Sequence, residues 1–152
     1  MIVTFILRVF VLASAFSALA VGESVAIDRL AGPIPAQVLR VVDGDTILVR
    51  AHIWLGQEVE TSVRLFGTDA PELKARCPSE REKALAARQF LMARIEGGVV
   101  QLRDILTDKY GGRVLAQVQD SSGADLSAEL VKAGLARRYN GGERQSWCAV
   151  GE

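Results

Sequence analysis

The sequence has few cysteines, few histidines and no excess of either charge, and each scarcity excludes a class of protein. Two cysteines and one histidine cannot build a closed tetrahedral zinc site, which excludes zinc-finger architectures. The 18 basic and 18 acidic residues cancel, so bulk positive charge cannot hold a polyanion. Contact with nucleic acid would therefore need a local cluster of charge.

Familiar catalytic signatures are also missing. The sequence contains no GxxxxGK(S/T), no GxSxG, no HExxH, no GxGxxG after a strand and no internal repeat. With 152 residues, 49% of them hydrophobic and 24% charged, the chain is long and apolar enough to fold as one globular domain.

The first twenty residues predict a signal peptide over residues 1–20. An apolar run at residues 9–19 ends in the small-residue pattern Ala18-Leu19-Ala20, typical of a secretory signal and its cleavage site. The run is too short for a membrane span of about 20 residues. Because Arg8 follows an apolar stretch, an uncleaved N-terminal anchor is the alternative. Either way, we expect an exported protein, periplasmic or secreted.

Export changes the interpretation of the two cysteines. An oxidising compartment permits a bridge between Cys77 and Cys148, and such a bridge would contribute about 4 kcal/mol by closing a long loop. Two unpaired buried thiols are the alternative. A catalytic cysteine is disfavoured because the one histidine, His52, lies in a predicted strand with no orienting group beside it. We therefore predict a disulfide.

The residue pattern predicts a leader at residues 21–35, one folded domain at residues 36–148 and a tail at residues 149–152. Short β-branched and apolar runs alternate with turn residues, as is typical of strands, and Asp43-Gly44 is a hairpin-type dipeptide. The predicted strands are residues 36–42, 45–53, 59–66, 99–106 and 113–118.

Two helices complete the predicted domain. Ser79 and Glu82 have the spacing of a capping box, with Ser79 as the N-cap of a helix that stops at Gly97-Gly98. A second helix is predicted over residues 125–133. The order βββ-α-ββ-α is that of an OB-fold five-stranded barrel, an α+β, mainly β fold with two or three helices. The predicted inner stripe of the first helix is Ala84, Ala87, Leu91 and Ile95.

Three carboxylates follow strand ends that a meander would bring to one end of the barrel. Asp45 begins the second strand, and Asp69 and Glu72 follow the third. A cluster of hard oxygen ligands suits Ca²⁺. An EF-hand loop is excluded because Trp54 stands where its bidentate glutamate would be required. For any one carboxylate taken alone, a solvated turn residue is the better interpretation.

Two arginines could face this cluster. Arg64 lies in an apolar strand, where an unpaired guanidinium would be costly, and Arg113 follows the glycine turn Gly111-Gly112. Two guanidinium groups beside a carboxylate-bound cation would make a phosphodiester site. A structural salt bridge across the sheet is the alternative for Arg64.

Four segments together resemble the staphylococcal nuclease (thermonuclease) family, in its order and over about residues 36–140. The resemblance implies an OB-fold barrel that hydrolyses DNA and RNA phosphodiesters with Ca²⁺ and leaves 3′-phosphate ends. The segments are VDGDT at 42–46, RLFGTDAPE at 64–72, TDKYGGR at 107–113 and LVKAGLA at 130–136.

By motif position, the resemblance implies that Asp45 and Asp69 are the calcium carboxylates. The backbone carbonyl of Ala70 would be a further metal ligand. Glu72 would activate or position the attacking water.

The resemblance also implies a phosphate clamp. Arg64 and Arg113 would stabilise charge on the transition state, and Lys109 and Tyr110 would contact the terminal phosphate of the substrate. Tyr139 is the one tyrosine near the position of the family's base-stacking residues.

The chain departs from the family pattern at two further places. Two glycines, Gly111 and Gly112, precede the second arginine where the family usually has one. After Trp147 and Cys148 the sequence has no room for the third helix of the type member, and we expect the disulfide to hold this end in its place.

Two other functions compete with a nuclease. One is a non-catalytic nucleic-acid or ligand-binding OB-fold module of the cell envelope, and the other is an envelope structural protein held by uncleaved residues 1–20. All five motif carboxylates and arginines are present, which favours catalysis. The neutral charge favours single-stranded over duplex substrate. We expect a monomer without a stable protein partner, touching a membrane only if the signal is uncleaved.

Overall fold

The computed structural model describes residues 29–148, so the predicted signal peptide, most of the predicted leader and the tail at 149–152 lie outside the described residues. Among residues 29–148, no helix is long and apolar enough to span a membrane.

Five long strands close into a barrel. They are β2 (Ile34–Asp43), β3 (Thr46–Trp54), β4 (Gln57–Leu65), β6 (Val99–Thr107) and β7 (Arg113–Gln119). Their order is β6-β2-β3-β4-β7, and the pairing of β6 with β7 closes the ring. All of these pairings are antiparallel except that of β4 with β7. The predicted α+β, OB-type barrel is confirmed.

Three short strands and two helices complete the structure. β1 (Arg29–Leu30) pairs with β6, and β5 (Thr68–Asp69) pairs with β8 (Arg137–Arg138). The helices are α1 (Pro78–Ile95) and α2 (Leu126–Lys132), so the order of long elements is βββ-α-ββ-α as predicted.

The core lies inside the barrel and under α1. Alternation along β3 buries Ile47, Val49 and Ala51, whereas Leu48 and Arg50, which lie between them in sequence, are only partly buried. The predicted inner stripe of α1 is confirmed, since the four residues 84, 87, 91 and 95 are all buried against the core side. This packing fixes α1 against the barrel beside the turn that joins β2 to β3.

The prediction that Ser79 caps α1 is wrong. The N-cap residue is Cys77, which makes no side-chain capping bond, and Pro78 occupies the first helical position. Proline is favoured there because its fixed φ suits the helix and its missing N–H would be unpaired in any case. Ser79 is therefore already inside the first turn.

The predicted disulfide is confirmed. Cys77 and Cys148 are joined, with their Cα atoms 5.8 Å apart and 71 positions between them in sequence. The bridge fastens the segment after β8 to the start of α1.

Candidate active site

The turn between β2 and β3 carries Asp45. Its two residues are Gly44 and Asp45, because Asp43 pairs with Thr46 across the hairpin. The Leu65 backbone N–H donates to the Asp45 carbonyl at 2.9 Å, which ties the turn to the end of β4. The Asp45 side chain is thereby held at the end of the barrel, almost fully buried.

Arg64 lies directly across from the start of β3, where it pairs with Thr46 in the sheet register. Its Nη2 atom is 2.9 Å from Asp45 Oδ2, so the two predicted site residues form an ion pair between neighbouring strands. The salt bridge expected as the alternative for Arg64 is therefore present, and the same side chain also lines the main cleft.

Burial and neighbouring charges both act on the Asp45 carboxyl group. Burial raises the pKa of its carboxyl group, the charge of Arg64 and the Thr46 hydroxyl lower it, and the charge of Glu72 raises it. Burial also raises the pKa of Asp43, as do the charges of Glu72 and Asp45. Three carboxylates therefore act on one another at this end of the barrel, and added positive charge there would be stabilising.

The two oxygens of Asp45 differ in their partners. Oδ1 accepts the Thr46 hydroxyl at 2.9 Å. Oδ2 is buried and, although close to Arg64, accepts no hydrogen bond of acceptable geometry from the described residues. Its one partner among the described residues is the Arg64 charge, so a metal ion bound to Oδ2 would share this oxygen with Arg64.

Asp69, Ala70 and Glu72 meet a single guanidinium group that the sequence did not predict. Arg144 donates from Nε to Asp69 Oδ1, from Nη1 to Glu72 Oε1 at 2.8 Å and from Nη2 to the Ala70 carbonyl at 3.0 Å. The second Asp69 oxygen accepts the indole N–H of Trp147 at 3.0 Å. Both carboxylates and the carbonyl therefore already face positive charge.

The contacts of Arg144 and Glu72 are reinforced from both sides. Burial lowers the pKa of Arg144, but the hydrogen bonds and charges of Glu72 and Asp69 outweigh that effect and raise it. Glu80, in the first turn of α1, accepts the backbone N–H of Glu72 at 3.1 Å. Helix α1 thereby positions the residue predicted to handle water.

The cleft beside these groups has a volume of about 570 Å³. It brings together five predicted site residues and Arg144, whereas the predicted metal carboxylates, Asp45 and Asp69, are not among the residues that line it. The site residues that line it are Arg64, Lys109, Tyr110, Arg113, Tyr139 and Arg144.

The β6–β7 loop forms one wall of the cleft. Arg113 Nε is 2.5 Å from Asp108 Oδ2. The Tyr110 ring lies between two cations, with the Lys109 ammonium 5.0 Å and the Arg113 guanidinium 5.3 Å from its centre. Gly112 has a φ of +80°, a conformation that accommodates the two-glycine turn. Arg113 still begins β7 and reaches the same cleft as Arg64.

Tyr139 lines the opposite wall. Its backbone N–H donates to the Gly67 carbonyl at 2.9 Å, which extends the pairing of β8 with β5. Its hydroxyl donates to the Gly142 carbonyl at 2.7 Å. The ring is therefore fixed at the edge of the cleft by the segment that carries Arg144.

Arg144 and Trp147 were missed because nothing in their local sequence marks them. Each contacts Asp69 across more than 70 positions of chain. The predicted disulfide was the one available signal, since a bridge from Cys148 to Cys77 brings the preceding residues close to Glu72.

Comparison with known proteins agrees with the motifs. A family model described as "Staphylococcal nuclease homologue" matches residues 62–147. The chain is 33% identical over 113 residues to an "Uncharacterized endonuclease" of Escherichia coli, a match that covers 72% of this chain and 64% of that protein.

Two further relatives carry similar names. "Endonuclease YhcR" of Bacillus subtilis (strain 168) is 33% identical over 108 residues, which are 66% of this chain and 8% of that protein. "Endonuclease Htp3" of Saprolegnia parasitica (strain CBS 223.65) is 30% identical over 127 residues, which cover 76% of this chain and 58% of that protein. The matched part of the chain thus spans less than two thirds of the length of each relative.

Proposed function

We propose, from the premise that the chain belongs to the staphylococcal nuclease family, that it hydrolyses phosphodiester bonds in DNA, RNA or both with the help of bound Ca²⁺. The observation that carries the proposal is a cluster of three carboxylates, two of them buried, beside a cleft that two arginines line. Asp45, Asp69 and Glu72 supply the carboxylates, and Arg64 and Arg113 supply the guanidinium groups.

The donor set fits a hard divalent cation. Asp45 Oδ2 is buried, with the Arg64 charge beside it but no hydrogen bond from the described residues, and Asp69 Oδ1 and the Ala70 carbonyl accept from Arg144. Carboxylate and carbonyl oxygens in this mixture suit Ca²⁺. Asp45, Asp69 and Ala70 would hold the ion, which when bound would polarise a phosphoryl oxygen.

The remaining residues would act on water and phosphate. Glu72, fixed through its backbone by Glu80, can accept a proton from water or orient it. Arg64 and Arg113 would bind the phosphoryl oxygens and stabilise their growing negative charge. Water that adds to phosphorus and expels the 5′ oxygen, which takes up a proton, leaves the phosphate on the 3′ side.

The aromatic and basic walls of the cleft fit a flexible nucleic acid strand. Tyr110 and Tyr139 offer ring faces for bases, and Lys109 lies beside them as a phosphate contact. This geometry, with the neutral net charge, supports a preference for single strands. The disulfide supports export to an oxidising compartment, periplasmic or extracellular.

One observation favours the alternative, a non-catalytic binding module. Arg144 neutralises Asp69 and Glu72, and a permanent ion pair of this kind would block catalysis while leaving the cleft intact. A nuclease should cleave and should lose cleavage when Glu72 is replaced, whereas a binding module should bind nucleic acid without cleaving it.

The test compares cleavage of single-stranded DNA and RNA by the purified, disulfide-bonded protein in Ca²⁺ and in EGTA. We expect Ca²⁺-dependent cleavage with 3′-phosphate ends, and a loss of about 10²-fold or more in Glu72→Gln. Glu82→Gln, an exposed carboxylate on α1, is the matched control and should cleave normally. A folded protein that binds single strands without cutting them would favour the binding module.

A further inference from the structure

We infer that Arg144 is an internal cation that occupies the metal site of the free protein and must be displaced before Ca²⁺ can bind. The inference rests on the proposed function, because it concerns the same carboxylates. It assigns to the segment after β8 a role in setting the metal affinity.

The two cations compete for the same atoms. The Arg144 guanidinium donates to Asp69 Oδ1 and to the Ala70 carbonyl, which are two of the oxygens expected to ligate the metal. Its third bond goes to Glu72. A Ca²⁺ ion on those two oxygens would lie against the guanidinium that donates to both, and because like charges repel at such a distance, the two occupants compete for the site.

The segment is fastened at both ends. At its start, Arg138 pairs with Thr68 and the Tyr139 N–H donates to the Gly67 carbonyl. At its end, Cys148 is bonded to Cys77. Because of these two attachments, Arg144 returns to the site at a high local concentration whenever the metal leaves.

Trp147 strengthens the second attachment. Its buried indole lies against the Arg137 guanidinium, 3.7 Å from the ring centre, and donates to Asp69 Oδ2. This bond leaves Asp69 Oδ1 facing the Arg144 side. Trp147 therefore keeps the carboxylate oriented whichever cation is bound.

The middle of the segment is held by hydrogen bonds from the Tyr139 hydroxyl to the Gly142 carbonyl and from Arg137 to the carbonyls of Gln145 and Ser146. Residues 141–146 are exposed, and Gly141 and Gly142 adopt positive φ values that only glycine reaches easily. The Arg144 side chain itself is 39% exposed. Displacement therefore requires only that the Arg144 side chain rotate toward the cleft, which it already lines, while β8, these hydrogen bonds and the disulfide stay in place.

The experiment measures Ca²⁺ affinity directly, by calorimetric titration of the metal-free protein. We expect Arg144→Gln to bind Ca²⁺ about tenfold more tightly or better than the unchanged protein, since a competitor is removed. Arg40→Gln, an exposed arginine on β2, is the control and should leave the affinity unchanged.

Thermal unfolding gives a second readout. In EGTA, Arg144→Gln should melt at a lower temperature because Asp69 and Glu72 lose their partner, and Ca²⁺ should raise its melting temperature more than that of the unchanged protein. If Arg144→Gln fails to fold, Arg144→Lys keeps the charge without the planar fork and should show an intermediate gain in affinity.

Equal or weaker Ca²⁺ binding by Arg144→Gln would overturn the inference, as would the absence of Ca²⁺ binding in both proteins. The nuclease proposal is judged separately by cleavage. Cleavage that persists in EGTA but needs Glu72 would support the nuclease proposal and contradict the displacement of Arg144 by Ca²⁺. Tighter Ca²⁺ binding by Arg144→Gln without any cleavage would support the displacement of Arg144 and contradict the nuclease proposal.

Discussion

Gly44 sets how closely the turn that carries Asp45 approaches helix α1. A Cβ atom on Gly44 would lie 2.8 Å from the Cβ of Ala87 and 3.2 Å from the Cβ of Ala70. Both neighbours are buried and attached directly to backbone, so neither can rotate away. The spacing of Asp45 from the helix therefore depends on the absence of a side chain at Gly44.

We predict that Gly44→Ala lowers the free energy of unfolding by about 1–3 kcal/mol, the usual cost of overpacking. Urea unfolding measures the change, and Ca²⁺ titration should show weaker binding because Asp45 moves. Gly111→Ala is the matched control, since its Cβ would meet no atom within 4 Å. Equal losses in the two variants would contradict the packing explanation.

The site residues that sequence could predict are those whose role follows from a motif and a strand end. Asp45 and Arg64 were expected near each other, and adjacent strands place them in one ion pair. The same reasoning left open whether Arg64 binds phosphate or only balances a charge. Its position between Asp45 and the cleft allows both, because a guanidinium has five donors.

At the level of elements, Asp120 joins α1 to the turn that leads into α2. Its Oδ2 accepts Arg94 Nε of α1 at 2.7 Å. Its Oδ1 accepts the Ser122 hydroxyl at 2.6 Å and the Ala124 N–H at 3.0 Å. The Ser122 hydroxyl is the largest of the effects that lower the pKa of Asp120, to about 2.

We predict that Asp120→Asn lowers the free energy of unfolding by about 2 kcal/mol at neutral pH, the range for hydrogen bonds to a charged group. Because the pKa of Asp120 is lower in the folded than in the unfolded chain, its stabilisation is complete only above about pH 5, where the carboxyl group is ionised in both states. It should be lost as the pH falls toward 2. Urea unfolding of both proteins between pH 2 and pH 7 measures this.

Asp104→Asn provides the control for that series. Asp104 pairs with Arg29 at a more exposed position and has a φ of 49°, which asparagine tolerates as well as aspartate. A surface ion pair contributes at most about 1 kcal/mol, so the loss should be small. A loss as large as that of Asp120→Asn would show that any carboxylate on this barrel matters equally.

Sequence periodicity predicted the long elements well because their burial pattern is local. The alternation of β3 and the inner stripe of α1 are visible within ten to twenty residues. The predicted start of α1 was wrong because the Ser79–Glu82 spacing suggested a cap at Ser79. The fixed φ of Pro78 instead places the first helical residue at Pro78. β8 was not predicted, since its two residues form a strand only by pairing with β5.

At the scale of the whole molecule, the occupant of the carboxylate site could not be predicted. Arg144 and Asp69 are 75 positions apart, and their contact depends on β8, the disulfide and the two glycines before Arg144 acting together. None of these features is a catalytic motif. A contact between residues so far apart in sequence depends on the folded chain and its disulfide, and no short stretch of sequence specifies it.

The disulfide therefore has two effects that should separate when it is removed. Cys77 and Cys148 close a loop with 71 positions of separation, so replacing both by serine should lower the free energy of unfolding by about 4 kcal/mol. The same change frees one end of the segment that carries Arg144, which lowers the local concentration of the guanidinium at Asp69. Urea unfolding should thus show a less stable protein, while calorimetry of the still folded fraction shows tighter Ca²⁺ binding. If stability and Ca²⁺ affinity fell together, the bridge would be holding the metal ligands in place instead of holding their competitor.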